Sequence, residues 1–207
     1  MPNDYTTAQK VFDEMPEGSF TQLEIPNIAT YITTASRLID ALVGRWDGFF
    51  YPTTDEVTYY YDGSGCAEQD IDEFATITSV SVSEQGGTSS TDYTAWSSSD
   101  YFTEPYNATS KGKPVNKLVV DMNGTQSVFY RYRKSVKVVG VAGYSVAVPS
   151  IIAQATRIQA VRWALRARGG WQDVAGNETT GYQRHKGITE LDGDIRGMLH
   201  TFVLELQ

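Results

Sequence analysis

The chain's only thiol, Cys66, closes the stretch Asp62-Gly63-Ser64-Gly65-Cys66, and a tight turn ending in cysteine is one way to present a nucleophile. A thiolate needs a neighbouring base, and both histidines, His185 and His200, stand far downstream. Gly143-Tyr144-Ser145-Val146-Ala147 places a serine after a glycine but lacks the second glycine of a nucleophile elbow. Asp192-Gly193-Asp194 matches a fragment of a calcium loop without the bidentate glutamate that completes one. Gly140 and Gly143 are not followed by the Gly-Lys-Ser/Thr of a phosphate loop. One cysteine and two histidines also leave too few ligands for a thiolate or imidazole metal centre, and no intramolecular disulfide can form. The residues therefore predict no enzyme, no metal and no cofactor.

What remains is charge and aromatic surface. The net charge is −8, distributed unevenly: residues 1–100 carry three basic side chains against 17 acidic ones, and residues 101–207 carry 14 against 8. A general nucleic-acid binder would be basic overall, so that class is disfavoured. Complementary potentials between copies of the chain fit this polarity, as does a fold in which the two sets of charge interleave. Arg157, Arg162, Arg166 and Arg168 fall on one stretch, 149–168, that holds no acidic residue. They could meet an acidic neighbouring copy, complement a helix C-terminus or neutralise phosphates. Tyr130 and Tyr132 alternate with Arg131 and Arg133, a composition more typical of protein interfaces than of sugar-stacking faces. The alternative from another class is a carbohydrate- or receptor-binding module with Trp96, Tyr101 and Tyr106 as its stacking platform.

These residues need elements to position them. At 207 residues and 41% hydrophobic content the chain is long enough for a real core, and no apolar run approaches the ~20 residues that a membrane span needs. Met1 to Gln9 has no basic flank before an apolar run, so no signal peptide is expected. Ile28, Tyr31, Ile32, Ala35, Leu38, Ile39 and Leu42 recur at helical spacing, with Asn27 as the expected N-cap and Gly44 as the stop. A shorter helix is expected over 8–15. From 53 to 146 the period changes to short Val-, Thr- and Tyr-rich runs, and strands are expected at 56–61, 75–82, 93–96, 117–121 and 135–141. No helix-length spacers separate them, so the sheet should be antiparallel. After Pro149 the helical period returns, and a last helix is expected to carry Ile188, Leu191, Ile195, Met198, Leu199, Phe202, Val203 and Leu206 in phase. The expected fold is α+β: a helical bundle, built from N-terminal helices (1–52) and two C-terminal helices (147–207), interrupted by an antiparallel β insertion (53–146).

Three stretches in this order resemble a known family. The helix Ile28 to Asp40 runs into Gly44-Arg45 and Phe49-Phe50-Tyr51-Pro52. Tyr59-Tyr60-Tyr61 enters the glycine turn Asp62 to Gly65. Val138-Val139-Gly140-Val141-Ala142-Gly143-Tyr144 precedes Val148-Pro149 and an alanine-rich helix. Together they resemble the head–tail connector (adaptor, head-completion) proteins of tailed bacteriophages. The resemblance implies a structural virion protein of the neck, made in the bacterial host cytoplasm, with no membrane partner. It would assemble with itself, usually twelvefold, as a ring beneath the portal protein. The ring completes the head, passes double-stranded DNA without sequence-specific binding and receives the next neck or tail-completion protein. Carried over, Leu199, His200, Phe202, Val203, Leu206 and Gln207 are the portal-docking candidates. Tyr31 and Arg37, with the arginines at 157, 162, 166 and 168, are the subunit-interface candidates, and Asp70, Asp72 and Glu73 are candidates to line the channel.

Overall fold

The computed structural model describes residues 3–15, 25–87, 92–168, 174–175, 183–184 and 190–203, with backbone alone at 25, 26, 168, 174–175 and 183–184. Two compact units divide the chain, residues 50–147 forming one and 1–49 with 148–207 the other.

The unit of residues 50–147 is built on strand β2, Glu68–Val82, which at 15 residues is the longest strand among the described residues. Its first part pairs antiparallel with β5 (Val115–Val120) and its second with β6 (Val136–Ala142). β1 (Val57–Tyr61) extends the sheet beyond β6, and β4 (Tyr101–Glu104) extends it beyond β5. The short β3 (Thr94–Ala95) pairs with the end of β2, giving six antiparallel strands. Along β2 the inward positions are Gln69 and Ile71 at first but Val80 and Val82 at the end. Register shifts between Asp70 and Phe74 and between Phe74 and Ser79 produce this change, because a bulge moves the period-two alternation onto the other face. The core packs Phe74, Val80, Leu118, Phe129, Val136 and Val138, all fully buried.

The other unit holds α1 (Ala8–Asp13), α2 (Ile25–Val43), α3 (Ser150–Arg168) and α4 (Gly193–Leu199), with a two-residue ladder of β7 (Val174–Ala175) and β8 (Gln183–Arg184). Buried Ile152, Ala155, Thr156, Gln159, Ala160, Trp163 and Ala164 put one face of α3 inside, at the three- and four-residue steps of a helix. Val11, Met15, Ile28, Ile32, Ala160 and Ala164 form one apolar cluster. Alanines on α3 let the neighbouring helices come close, which is where the alanine-rich composition of that helix is used.

Several expectations are corrected. The fold is α+β with a six-stranded antiparallel sheet as its principal element, and not a helical bundle interrupted by a β insertion. Two of the four α-helices among the described residues, α1 and α4, have six and seven residues, about two turns or fewer, which is too short to act as bundle members. α2 starts at Ile25, so Asn27 lies within it and is not its cap. Its end at Val43, with Gly44 at φ +72°, is where the glycine was expected to stop it. β2 begins seven residues before the expected 75, and β4 was not expected at all. The last helix begins at Gly193 and gives way to a 3₁₀ turn at His200–Phe202, while Ile188, Leu206 and Gln207 lie outside the described residues.

Gly140 sits in β6 between Val57 of β1 and Ile77 of β2. A Cβ there would lie 2.3 Å from the Thr76 carbonyl oxygen and 3.0 Å from the Ile77 Cα. Both are main-chain atoms that cannot step aside. Gly140→Ala is therefore expected to cost about 2–3 kcal/mol in urea unfolding. Gly197→Ala, in α4 where a Cβ meets nothing within 4 Å, should stabilise by roughly 0.5–1 kcal/mol. Equal effects at the two sites would refute this account of the sheet.

Candidate interface surfaces

One face of α3 is buried, and its arginines flank that face: Arg157 on the side of α1, Arg162 and Arg166 on the side of α4. The charge of Arg157, Arg162 and Arg166 is met within the chain. Arg157 Nε lies 3.1 Å from a Glu14 carboxylate oxygen. Arg162 grips Asp194 with two hydrogen bonds of 2.8 and 2.7 Å and donates a third, of 3.1 Å, to Asp192. Arg166 donates to the same Asp192 oxygen at 2.8 Å. The backbone N–H of Asp192 in turn donates to the buried Gln159 side chain at 2.9 Å. The fork geometry of guanidinium on carboxylate makes these charge-assisted pairs the strong kind. Hydrogen bonds from Arg162 above all hold the Asp194 carboxyl down to about 2. Thus Asp192-Gly193-Asp194, unable to form a calcium loop, opens α4 and neutralises α3. The Arg168 side chain lies outside the described residues.

On α2, Tyr31 is half-buried against the apolar cluster of α1, α2 and α3. Arg37 donates to the Asn3 carbonyl at 2.8 Å, lies 3.3 Å from Asp40 and sits over the Tyr5 ring. Asp40 itself is fully buried, accepting from the Tyr5 hydroxyl and, at 2.9 Å, from the Gly48 N–H. Burial pushes its carboxyl above the ordinary carboxylate value, and those donors pull the other way. This network fixes the N-terminal segment on α2.

In the β unit, Glu68, Asp70 and Asp72 alternate along the outward face of β2. Lys117 of β5 lies 3.1 Å from Glu68 and 3.7 Å from Asp70, and Tyr61 donates its hydroxyl to Asp72 at 3.1 Å. The structure thus brings Asp70 and Asp72 to one exposed surface, while Glu73 beside them is half-buried. Leu199 is fully buried, so it belongs to the core of its unit; His200 and Val203 are exposed and Phe202 is half-buried. Trp96 is only 7% exposed and stacks on Phe129 at 4.8 Å between ring centroids. It is therefore core, and the platform of Trp96, Tyr101 and Tyr106 is not assembled. Tyr106 is exposed and packs edge-on against Phe102 of β4.

Residues 129–135, where tyrosine and arginine alternate, form a loop. Gly63 and Gly65 donate their N–H groups to the carbonyls of Tyr132 (3.0 Å) and Phe129 (2.8 Å). The Asp62 carboxylate accepts the Lys134 N–H at 2.8 Å, and the Tyr93 hydroxyl donates to the Lys134 carbonyl at 2.6 Å. Lys134 takes a positive φ of 49°. The loop is thus shaped by residues from three other segments, and Arg131, Tyr132, Arg133 and Lys134 remain exposed on it. Among the described residues no group of histidine, cysteine, aspartate or glutamate is arranged to hold a metal ion, and no helix is long and apolar enough to cross a membrane.

No protein-family model and no curated protein matches the sequence. Solved structures do match along the whole chain. One is the neck of an empty gene transfer agent (GTA) particle computed with C6 symmetry, at TM-score 0.54 and 13% identity over 100% of this chain and 93% of that chain. Another is the virion of a native gene transfer agent particle, at TM-score 0.51 and 11% identity over 97% of this chain and 90% of that one. At these identities the likeness shows a shared fold, and the fold is one found in the virion and neck of such particles.

The Asp192 hub is open to test. Its side chain is 12% exposed and serves two arginines, so Asp192→Ala should cost about 2 kcal/mol in urea unfolding. Asp194 is 58% exposed, and Asp194→Asn should cost less than about 1 kcal/mol. Its folded carboxyl titrates below the unfolded one, so its contribution is present above about pH 5 and disappears as pH falls toward 2. A difference between wild type and Asp194→Asn that persists undiminished at pH 2 would contradict the pairing.

Proposed function

We propose that the chain is a structural virion protein of the neck, a head–tail adaptor that forms a ring beneath the portal. The ring would complete the head, let DNA pass and support attachment of the next neck or tail protein. One observation carries this reading: the fold matches, over the full length of this chain, a chain in a particle neck computed with C6 symmetry. A sixfold operator fits rings whose subunit number is six or a multiple of it, and the bacteriophage connector resemblance favours twelve. Such rings join unlike surfaces of neighbouring copies, head to tail.

Exposure and pairing support a shorter set of candidate surfaces. Because Leu199 is in the core, portal docking falls to the segment after it, where His200 and Val203 are exposed. The arginines at 157, 162 and 166 serve their own chain first, and a neighbouring copy would meet them already paired. Asp70 and Asp72 remain the candidates to face the channel, since an exposed negative surface repels the backbone of passing DNA.

The test is co-expression with a candidate portal protein, followed by native mass spectrometry and particle imaging. A chain ending at Phe202 is made in parallel, which keeps Leu199 and α4 intact. The full chain is expected to add to the portal as a symmetric ring, and the shortened chain to stay free at unchanged thermal stability. A full-length chain that never joins the portal would overturn the adaptor reading.

A further inference from the structure

The β unit carries positive charge that pairs with no carboxylate among the described residues. Arg37, Arg157, Arg162, Arg166 and Arg196 each lie within 4.0 Å of a carboxylate oxygen. Arg131, Arg133 and Lys134 are exposed, and their side chains have no carboxylate and no hydrogen-bond partner among the described residues. Asp62 accepts the Lys134 N–H and Glu84 accepts the Tyr130 hydroxyl at 3.3 Å, and among the described residues neither forms an ion pair with these three side chains.

The backbone beneath these cations is held from several sides. Gly63 allows the loop to close on it, since a Cβ there would lie 1.9 Å from the Tyr130 carbonyl oxygen. The Gly87 N–H donates to the Arg133 carbonyl at 3.3 Å, and the Ser135 hydroxyl donates to the Tyr130 carbonyl at 2.6 Å. An open groove of about 830 Å³ runs between Gln85–Gly87 and Tyr132–Lys134, with Asp62 also in its wall. Guanidinium forks with free donors, on a fixed backbone beside a groove, are arranged to receive anionic oxygens.

We propose that Arg131, Arg133 and Lys134 contact the phosphodiester backbone of double-stranded DNA. This rests on the adaptor reading, in which DNA passes the ring. The chain as a whole, at −8, repels nucleic acid, so attraction must be local; Lys111 and Lys113 are also exposed in this unit, but this loop gathers three cations within four residues. The loop offers no helix or long strand to enter a groove, and the contact is therefore with phosphates and blind to sequence. Magnitude fits passage rather than capture. Three cations release about three counterions, against the 6–10 contacts of proteins that hold DNA firmly. Around a ring the weak contacts repeat, once per copy. An acidic polypeptide surface is the competing partner, and the test separates the two.

The unassembled full-length chain is titrated with a fluorescent random-sequence duplex across a range of salt. The affinity should fall with a log–log slope of about −2.7, or about 40-fold between 50 and 200 mM salt. Arg131→Gln should reduce the slope to about −1.8, and the triple variant R131Q/R133Q/K134N should abolish binding without changing thermal stability. A second duplex of different sequence should bind equally. Absence of wild-type binding at 50 mM salt, or unchanged binding by the triple variant, overturns the proposal. If the triple variant instead loses the portal while the wild type ignores the duplex, the loop serves an acidic protein surface. Ring formation on the portal is scored separately, so failure of this contact and failure of the adaptor reading are told apart.

Discussion

The β unit depends on a change of phase within one strand. β2 must bury Gln69 and Ile71 where it meets β5, and Val80 and Val82 where it meets β6. A regular strand keeps one parity on one face throughout, so two partner strands could not both be served without an extra residue at the crossover. The irregularities around Phe74 supply it, and Phe74 itself is fully buried there, edge-on to Tyr59. Gly140 faces the same crossover from β6, where the main chain of β2 comes closer than any side chain permits. From this crossover follow the outward acidic row of β2 and the placement of the loops at 62–66, 83–87 and 129–135.

The helical unit is organised by charge used inwardly. α3 has basic residues with no acid of its own, and its compensation arrives from α4 and from the residue that ends α1. Asp192 receives two arginines while its main chain is held by Gln159, so a seven-residue helix too short to be stable alone is fixed on α3. Asp40 performs the corresponding role on α2, gathering Tyr5, Arg37 and Gly48 around one buried carboxylate. In both places an ionic cluster ties a weak segment to a long helix.

Local pattern made much of this visible in the sequence. The apolar period of α2, the Pro149 start of α3 and the strands at 57–61 and 136–142 were legible because each is set by its own residues. The first half of β2 was not, because Glu68-Gln69-Asp70-Ile71-Asp72 alternates with a single aliphatic residue and reads as a polar loop. The four residues of β4 give no period at all. The surfaces were harder still. Arg162 and Asp194 are 32 positions apart, and no spacing rule links them. Trp96 looked like a stacking residue because its burial depends on Phe129, which is remote in sequence. The pairing of tyrosine and arginine at 130–133 was visible, but the loop that presents it is shaped by Asp62, Gly63, Gly87 and Tyr93.

The rims of the six-stranded sheet are short: β1 has five residues and β4 has four. An unpaired rim is a template on which a foreign strand can add, and the gain grows with the number of main-chain bonds on offer. Rims this brief offer few, and the exposed Glu56 beside β1 and half-buried Glu104 at the end of β4 place negative charge at both. Spontaneous fibre growth through the sheet is thereby made unfavourable.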